Sequence, residues 1–244
     1  MERPAFRNKL LRRLDPVAFE QLGPHLERVE LKVRDVIVRP NATITHVYFP
    51  ETGLMSILAG AGHSDTIEAG MVGFEGMSDM IPSKRTPLQT MVHLPGHAYR
   101  IEFDLLDAVF REGGKVTDLI SRYHHYLIVQ SAYLALSHAN YNVEERLARW
   151  LLMALDRTGG RELPLAHDFF AWMLAVRRAG VTAAMQSLED RGAISRGRAR
   201  VVVEDRDILI ELAATSYGQA EAAYERLIAC LPEISGVTLN AASG

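Results

Sequence analysis

The chain of 244 residues contains a single cysteine, Cys230. One cysteine excludes a disulfide within the chain and cannot by itself hold an iron–sulfur cluster or a cysteine zinc site. The sequence also lacks an apolar run of the ~18 residues that a membrane-spanning helix needs, and its first residues begin no apolar segment. We therefore expect no membrane span, no secretory signal and a location in the cytoplasm.

Catalytic and metal-binding patterns are also missing. No serine, cysteine or carboxylate pair has the arrangement of a catalytic group, so we expect no enzyme and no catalytic residues. His93 and His97 are separated by Pro95 and Gly96, which excludes a shared helix face, and His63 lies alone in a glycine-rich segment. A solitary histidine is more often a core or surface residue than a ligand, so we expect no metal site.

Lysine is absent after Lys115, which leaves arginine as the only strong cation in the second half of the chain. Between Arg177 and Arg200 there are six arginines and two acids, a local charge of +4 in a chain whose net charge is −3. Arginine is the better residue for bidentate contacts to phosphates and to guanine. This concentration predicts a nucleic-acid contact surface, the alternative being a solvated charged face.

The same region has the pattern of a winged helix-turn-helix. Apolar spacing predicts a helix over 166–174 and a second helix over 177–191, with only two residues between them, so the helices must cross steeply. Gly192 ends the second helix. A turn at 196–198 and a β-branched run at 201–203 predict a hairpin, which is the wing.

The first half of the chain has a different period. Two N-terminal helices precede many short β-rich runs broken by proline and glycine, which predicts a small barrel or jelly roll. A long helix is predicted over 115–138, followed by a helix over 143–155 and a joint at Gly159 and Gly160. The fold class is therefore α+β, with a barrel domain at 1–113, a long helix at 114–142 and a winged-helix domain at 143–244.

The long helix carries a heptad-like stripe of residues that repeats every 3.5 residues on average. Gln130 and Ser137 are its polar positions. Such a period is typical of a coiled pair, so the stripe predicts a homodimer, the alternative being that it packs on its own barrel. The residues assigned to dimerisation are Ile120, Tyr123, Leu127, Gln130 and Leu134.

A barrel, a long helix and a winged helix, in that order, resemble the CRP/FNR superfamily of bacterial transcription regulators. The resemblance runs from about Leu10 to Asp205 and is closest at 165–203, where 187–195 is similar to the end of the family's recognition helix and the start of its wing. The resemblance implies a cyclic-nucleotide-binding-like barrel and a cytoplasmic protein that binds double-stranded DNA and RNA polymerase. Residues 206–231 go beyond the usual ending and predict further amphipathic helices.

The resemblance also implies roles in the recognition helix. Arg178 falls where the family carries an arginine that reads guanine, whereas Ala179 and Ala183 stand where the best-known members carry base-reading charged residues. A different DNA sequence is therefore expected. Thr182 and Gln186 can still reach bases, while Arg177, Arg196, Arg198 and Arg200 are assigned to phosphates.

In the barrel, Gly73-Phe74-Glu75-Gly76 resembles the start of the family's phosphate cassette, and Arg85-Thr86 is the candidate for its second part. Glu75, Arg85 and Thr86 are thus the candidate ligand residues, the alternative being a surface pair of Glu75 with Arg85. Pro87 removes a backbone donor that a phosphate would use, so we expect no cyclic nucleotide and no other cofactor.

Two functions follow from the sequence. The first is a homodimeric regulator that binds a palindromic DNA site, with an unassigned effector or none. The alternative is a cupin-like protein that binds a ligand or metal and uses its winged helix for protein contacts.

Overall fold

A computed structural model describes residues 3–60, 66–78, 82–165 and 167–233, without the side chains of residues 167 and 168. Seven strands in two antiparallel sheets form the barrel, in the orders β1-β7-β3 and β2-β6-β4-β5. The strands are β1 Glu27–Leu31, β2 Val36–Val38, β3 His46–Pro50, β4 Leu54–Ala59, β5 Ile67–Val72, β6 Gln89–Leu94 and β7 Gly96–Glu102. The predicted fold class is confirmed. His63 lies outside the described residues.

Only one of the two predicted N-terminal helices is an α-helix. It is α1, Pro16–Leu22, which begins at Asp15, whose side chain accepts a hydrogen bond from the Ala18 backbone N–H. The preceding segment contains a single 3₁₀ turn, Leu11–Arg13. The helix α2, Phe103–Glu112, follows the barrel and was not predicted from the sequence, because β7 runs into it without a break.

The long helix α3, Lys115–Asn140, forms where it was predicted, but its heptad-like stripe faces inward. Ile120, Tyr123, Leu127 and Gln130 are buried within their own chain. The Gln130 side-chain oxygen accepts a hydrogen bond from Met71 N–H, and its amide nitrogen donates to the Met71 carbonyl oxygen and to the hydroxyl of Tyr126. The assignment of this stripe to dimerisation is therefore wrong for these four residues, because the barrel already covers them; Leu134 is half-buried.

Helix α4, Val143–Thr158, is the central element of the chain. Its first turn is fixed by a capping box between Asn142 and Glu145, and all residues from 147 to 155 are buried. A helix that is buried on every side must be covered from several directions. The barrel covers it through Leu54, Met71 and Leu94, and the winged-helix core covers it elsewhere.

The winged-helix domain consists of α5 His167–Met173, α6 Arg178–Asp190, and a small sheet in the order β8-β10-β9. Its strands are β8 Glu162–Leu163, β9 Ile194–Gly197 and β10 Arg200–Val203. Because β8 pairs with β10, and α4 shares the same core, Gly159 and Gly160 are not a joint between domains. Gly159 instead ends α4 in the left-handed conformation, with φ of 73°.

The C-terminal extension folds back onto the barrel. It consists of α7 Arg206–Ala213 and α8 Gln219–Tyr224, continued by a π-helical turn at Glu225–Ala229. Helix α7 packs in the winged-helix core through Leu209, whereas Tyr224 and Ile228 belong to the barrel core. The extension therefore links the two cores. No helix in the described part of the chain is long and apolar enough to cross a lipid bilayer.

A buried carboxyl group also joins the barrel to α4. Glu68 on β5 accepts hydrogen bonds from the Ser56 hydroxyl and, at 3.1 Å, from the Trp150 indole N–H. Burial raises the pKa of Glu68 from 4.5 to about 7, although both hydrogen bonds and the charges of Arg149 and Arg157 oppose the shift. The folded protein therefore holds this proton more tightly than the unfolded chain.

This difference predicts a pH-dependent stability. Since the folded-state pKa is raised, the contribution of Glu68 is greatest below pH 4.5 and is lost as the pH rises to about 7. Relative to Glu68→Gln, the free energy of unfolding of the wild type should fall by about 3 kcal/mol across this range. Urea denaturation at several pH values measures it, with Glu20→Gln, an exposed carboxylate, as the control. Parallel curves for the wild type and Glu68→Gln would contradict it.

Candidate nucleic-acid interface

The turn between α5 and α6 is closed by backbone hydrogen bonds. The N–H groups of Leu174 and Val176 donate to Phe170 and Ala171 at 2.9 and 3.0 Å, and Ala175 takes a left-handed conformation with φ of 51°. A small residue at this corner keeps the steric cost of positive φ low. The turn therefore sets the angle at which α6 leaves the domain.

Helix α6 has one buried and one exposed face. Its buried face packs in the winged-helix core through Val181, Ala184, Met185 and Leu188. The exposed face carries the predicted base-reading positions together with one further small residue, namely Arg178, Ala179, Thr182, Ala183 and Gln186. Arg177 is exposed at the N-cap. The structure thus brings the sequence-predicted residues together on one continuous surface.

Two of these side chains are constrained. The Thr182 hydroxyl donates to the Arg178 carbonyl oxygen at 3.0 Å, which directs its hydrogen atom into the helix. The Gln186 amide nitrogen donates to Asp190 at 2.8 Å, and its oxygen accepts from Arg196 at 2.6 Å. Gln186 is therefore held in place, and it must exchange one of these partners to read a base.

The turn of the wing lies at Arg198 and Ala199, because Gly197 pairs directly with Arg200. It therefore begins two residues after the start of the predicted turn at 196–198. Arg196 does not belong to the free surface of this hairpin. Its guanidinium forms an ion pair with Glu189 and hydrogen bonds with Gln186. Its assignment to a phosphate stays a prediction, and it requires a phosphate to replace Glu189 as the partner of the guanidinium.

The remaining wing arginines lie at the surface. Arg198 is exposed at the tip of the turn. Arg200 lies 3.5 Å from Glu162, and both side chains are about half exposed. Such an exposed pair contributes little stability and is easily replaced by a phosphate contact.

The candidate ligand residues of the barrel do not form one site. Glu75 is buried and accepts a hydrogen bond from the Arg157 guanidinium of α4 at 2.8 Å. Arg85 is exposed in the loop before β6, and the backbone of Thr86 contacts Asn41. The alternative of a surface pair between Glu75 and Arg85 is therefore wrong, because Arg157 is the ion-pair partner of Glu75. The glycines around Glu75 serve close packing: a Cβ on Gly76 would lie 2.1 Å from the Tyr123 hydroxyl.

The histidines considered as ligands are placed apart. His93 is buried against the rings of Phe169 and Trp172 of α5, and burial lowers its pKa to about 4. His97 is exposed on β7. In the described ranges, no three His, Cys, Asp or Glu side chains converge as a metal site. His93 is thus a neutral contact between the barrel and the winged helix.

The barrel, the long helix α3 and a winged helix whose helix α6 is exposed and bears arginines can be compared with known proteins. Residues 145–212 match the profile of the Crp-like helix-turn-helix domain. A comparison with curated protein sequences gives no significant match. Among solved structures, FixK2 from Bradyrhizobium japonicum is similar with a TM-score of 0.67 and 14% identity, over 78% of this chain and 98% of that one.

Two further structures agree. A putative CRP/FNR-family regulator from Eubacterium rectale has a TM-score of 0.64 and 16% identity, over 82% of this chain and 95% of its own. The c-di-GMP-responsive regulator CLP from Xanthomonas campestris has a TM-score of 0.62 and 16% identity, over 78% of this chain and 100% of its own. Residues 145–212 thus match the Crp-like helix-turn-helix family, and the chain as a whole shares the fold of these solved structures.

Gly180 lies in the first turn of α6. A glycine inside a helix lowers its stability, and close approach of another group, either DNA or α5, is the usual reason for one; yet a Cβ at Gly180 would meet nothing within 4 Å among the described residues. Helix α5 is therefore not the reason. Gly180→Ala should stabilise the fold by up to about 1 kcal/mol, because alanine is the better helix former.

If DNA approaches the backbone here, the same substitution weakens DNA binding. Thermal unfolding and fluorescence anisotropy measure the two effects, with Ala183→Gly on the same exposed face as the reciprocal control. A stabilised variant with wild-type DNA affinity would show that Gly180 does not contact DNA.

Proposed function

We propose that the protein is a homodimeric, sequence-specific DNA-binding regulator that places α6 in the major groove. The observation that carries the proposal is the exposed face of α6, which presents Arg178, Thr182 and Gln186 beside the arginines of the wing. Side chains on one face of a helix can reach base edges in one major groove. The match to the Crp-like helix-turn-helix domain favours this function over the cupin-like alternative.

The contacts divide into base readout and phosphate binding. Arg178 reads guanine with two hydrogen bonds, and Gln186 reads adenine after it releases Asp190 or Arg196. Thr182 contacts a thymine methyl group with its own methyl, since its hydroxyl is engaged in the helix. Arg177, Arg198 and Arg200 bind phosphates and set the position of the domain on the duplex.

The dimer forms through the outward face of α3 rather than through the predicted stripe. This face carries a second series of positions with the 3.5-residue period of a coiled pair, all of them exposed: Ser121, His125, Ile128, Ala132, Ala135 and Ala139. Ile128 is 62% exposed in the single chain. Small residues allow two such helices to approach closely, and Ile128 supplies the apolar contact at their crossing.

A two-fold axis along α3 implies a palindromic DNA site. Two copies of α6 then occupy successive major grooves roughly 34 Å apart. RNA polymerase is a further partner of this proposed function, and the cytoplasm is its location. We also propose that no cyclic nucleotide is needed, because the Glu75 carboxylate is occupied by Arg157 and Arg85 lies in a separate loop.

Anisotropy with labelled DNA tests the division of roles. Using DNA from the protein's own upstream region and a scrambled duplex, Arg178→Ala should lose the preference between them, at a cost of about 1–3 kcal/mol for the specific site. Arg198→Ala is the matched control, because it removes a phosphate contact. It should weaken both duplexes equally and reduce the salt dependence. A variant Arg178→Ala that keeps the wild-type preference would contradict the proposal.

The dimer face is tested by sedimentation of Ile128→Glu. A buried, unpaired charge in a symmetric interface occurs twice, so this variant should sediment as a monomer and bind the palindromic site at least tenfold more weakly. Val33→Glu is the control, since Val33 is also exposed, at 53%, but lies in the turn between β1 and β2. A dimeric Ile128→Glu would place the interface elsewhere.

A further inference from the structure

A cavity of about 330 Å³ lies where the C-terminal extension meets the barrel, α3 and α4. Three tyrosines line it, Tyr126 from α3 and Tyr217 and Tyr224 from the extension. Its carboxylates are Glu75, Asp156, Glu221 and Glu225. Because α4 and the extension contribute most of these groups, the cavity exists only while the extension is folded onto the barrel.

Most of the polar groups in the wall already have partners. Glu75 is paired with Arg157. Asp156 accepts hydrogen bonds from Arg206 at 2.7 Å and from the Tyr217 hydroxyl at 2.6 Å. The two charges of each pair neutralise each other, so these residues shape the cavity wall and offer a ligand no unpaired charge.

Glu221 differs from these residues. Its Oε2 accepts a hydrogen bond from the Gly218 backbone N–H at 2.9 Å and so caps α8, whereas its Oε1 is buried and has no hydrogen-bond partner among the described residues. The guanidinium groups of Arg149 and Arg157 act on Glu221 only through their charge, because their hydrogen bonds go to Ser216, Glu75, Met153 and Tyr126. A buried carboxylate oxygen without a donor is costly, and a ligand that supplies an N–H group removes this cost.

The unpaired groups of the cavity lining carry a net negative charge. After the pairs are set aside, Glu221 and Glu225 face one cation, Lys9, whose ammonium lies over the ring of Tyr224 at 5.1 Å. The unpaired groups of the lining thus carry a charge of −1, while Arg149, which lies outside the lining, acts on Glu221 with the opposite sign. Because tyrosine faces attract organic cations and Glu221 Oε1 lacks a donor, the cavity favours a cation that carries an N–H group. The residues do not suit a metal ion, since the described chain has no cluster of three potential ligands.

We propose that this cavity binds a small organic cation, an amine or guanidine, whose N–H donates to Glu221 Oε1 and whose carbon atoms lie against the tyrosine rings. Such a ligand contacts α3, α4 and α8 together and therefore holds the extension on the barrel. Its effect on DNA binding rests on the proposed function, whereas the binding itself does not.

Isothermal titration of the full chain tests the site. The probes are agmatine and 1,4-diaminobutane, with 1,4-butanediol as a neutral molecule of similar length. We expect saturable binding of at least one of the cations and none of the diol. Glu221→Gln keeps an acceptor for the α8 cap and removes the charge, so it should bind the cation at least tenfold more weakly. Glu211→Gln, an exposed carboxylate of α7, should bind as the wild type does.

Absence of saturable binding by both cations, or equal binding by Glu221→Gln and the wild type, overturns the proposed site. Anisotropy with DNA is then repeated with the bound cation. A changed DNA affinity in the wild type and not in Glu221→Gln supports the link to regulation, and an unchanged affinity overturns that link alone. If no DNA is bound in any condition, the proposed function fails while the titration still decides the site.

Discussion

The arrangement of this protein depends on one buried ion pair, between Arg157 of α4 and Glu75 of the barrel. Both side chains are almost inaccessible, and the guanidinium also bonds the Met153 carbonyl oxygen and the Tyr126 hydroxyl. Removing one partner of such a pair leaves a buried charge, at a typical cost of 3–5 kcal/mol. The pair therefore specifies how α4, the first helix of the DNA-binding module, sits on the barrel and on α3.

The other contacts at the same junction are ring contacts and hydrogen bonds. His93 packs edge-to-face against Phe169 and Trp172, and the Trp150 indole N–H donates to Glu68. The extension adds the bond from Arg149 to the Ser216 carbonyl oxygen and that from Tyr224 to the Glu75 carbonyl oxygen. A regulator that changes its DNA affinity must rearrange such a junction, so the groups in it are where an effector can act.

Local pattern was enough to predict the order of barrel, long helix and winged helix, the positions of α3 and α6, and which residues of α6 are exposed. Those features depend on periodicity and on turn residues within short segments. Periodicity alone could not show which face of α3 packs on the barrel, because two faces of that helix have the same 3.5-residue period. The larger residues, such as Tyr123 and Leu127, pack on the barrel, and the face with Ile128 and alanines stays exposed. Residue size was the available signal, since a stripe of large aromatic residues suits a broad sheet surface better than a close helix pair.

The ion-pair partners of charged residues could not be predicted from the sequence either, because the pattern of a short segment does not show which side chains meet in the fold. Arg85, ten residues from Glu75, was considered as its partner in a ligand site or, alternatively, in a surface pair, whereas its actual partner, Arg157, lies 82 residues away. The partner of Arg196 is close along the chain, since Glu189 lies seven residues earlier, at the end of α6, but only the fold shows that the two side chains meet. An arginine count alone therefore overstates the free positive charge of the wing. In the proposed complex with DNA, Arg198 and Arg200 meet the phosphates, while Arg196 holds Gln186 and Glu189 and so joins the wing to α6.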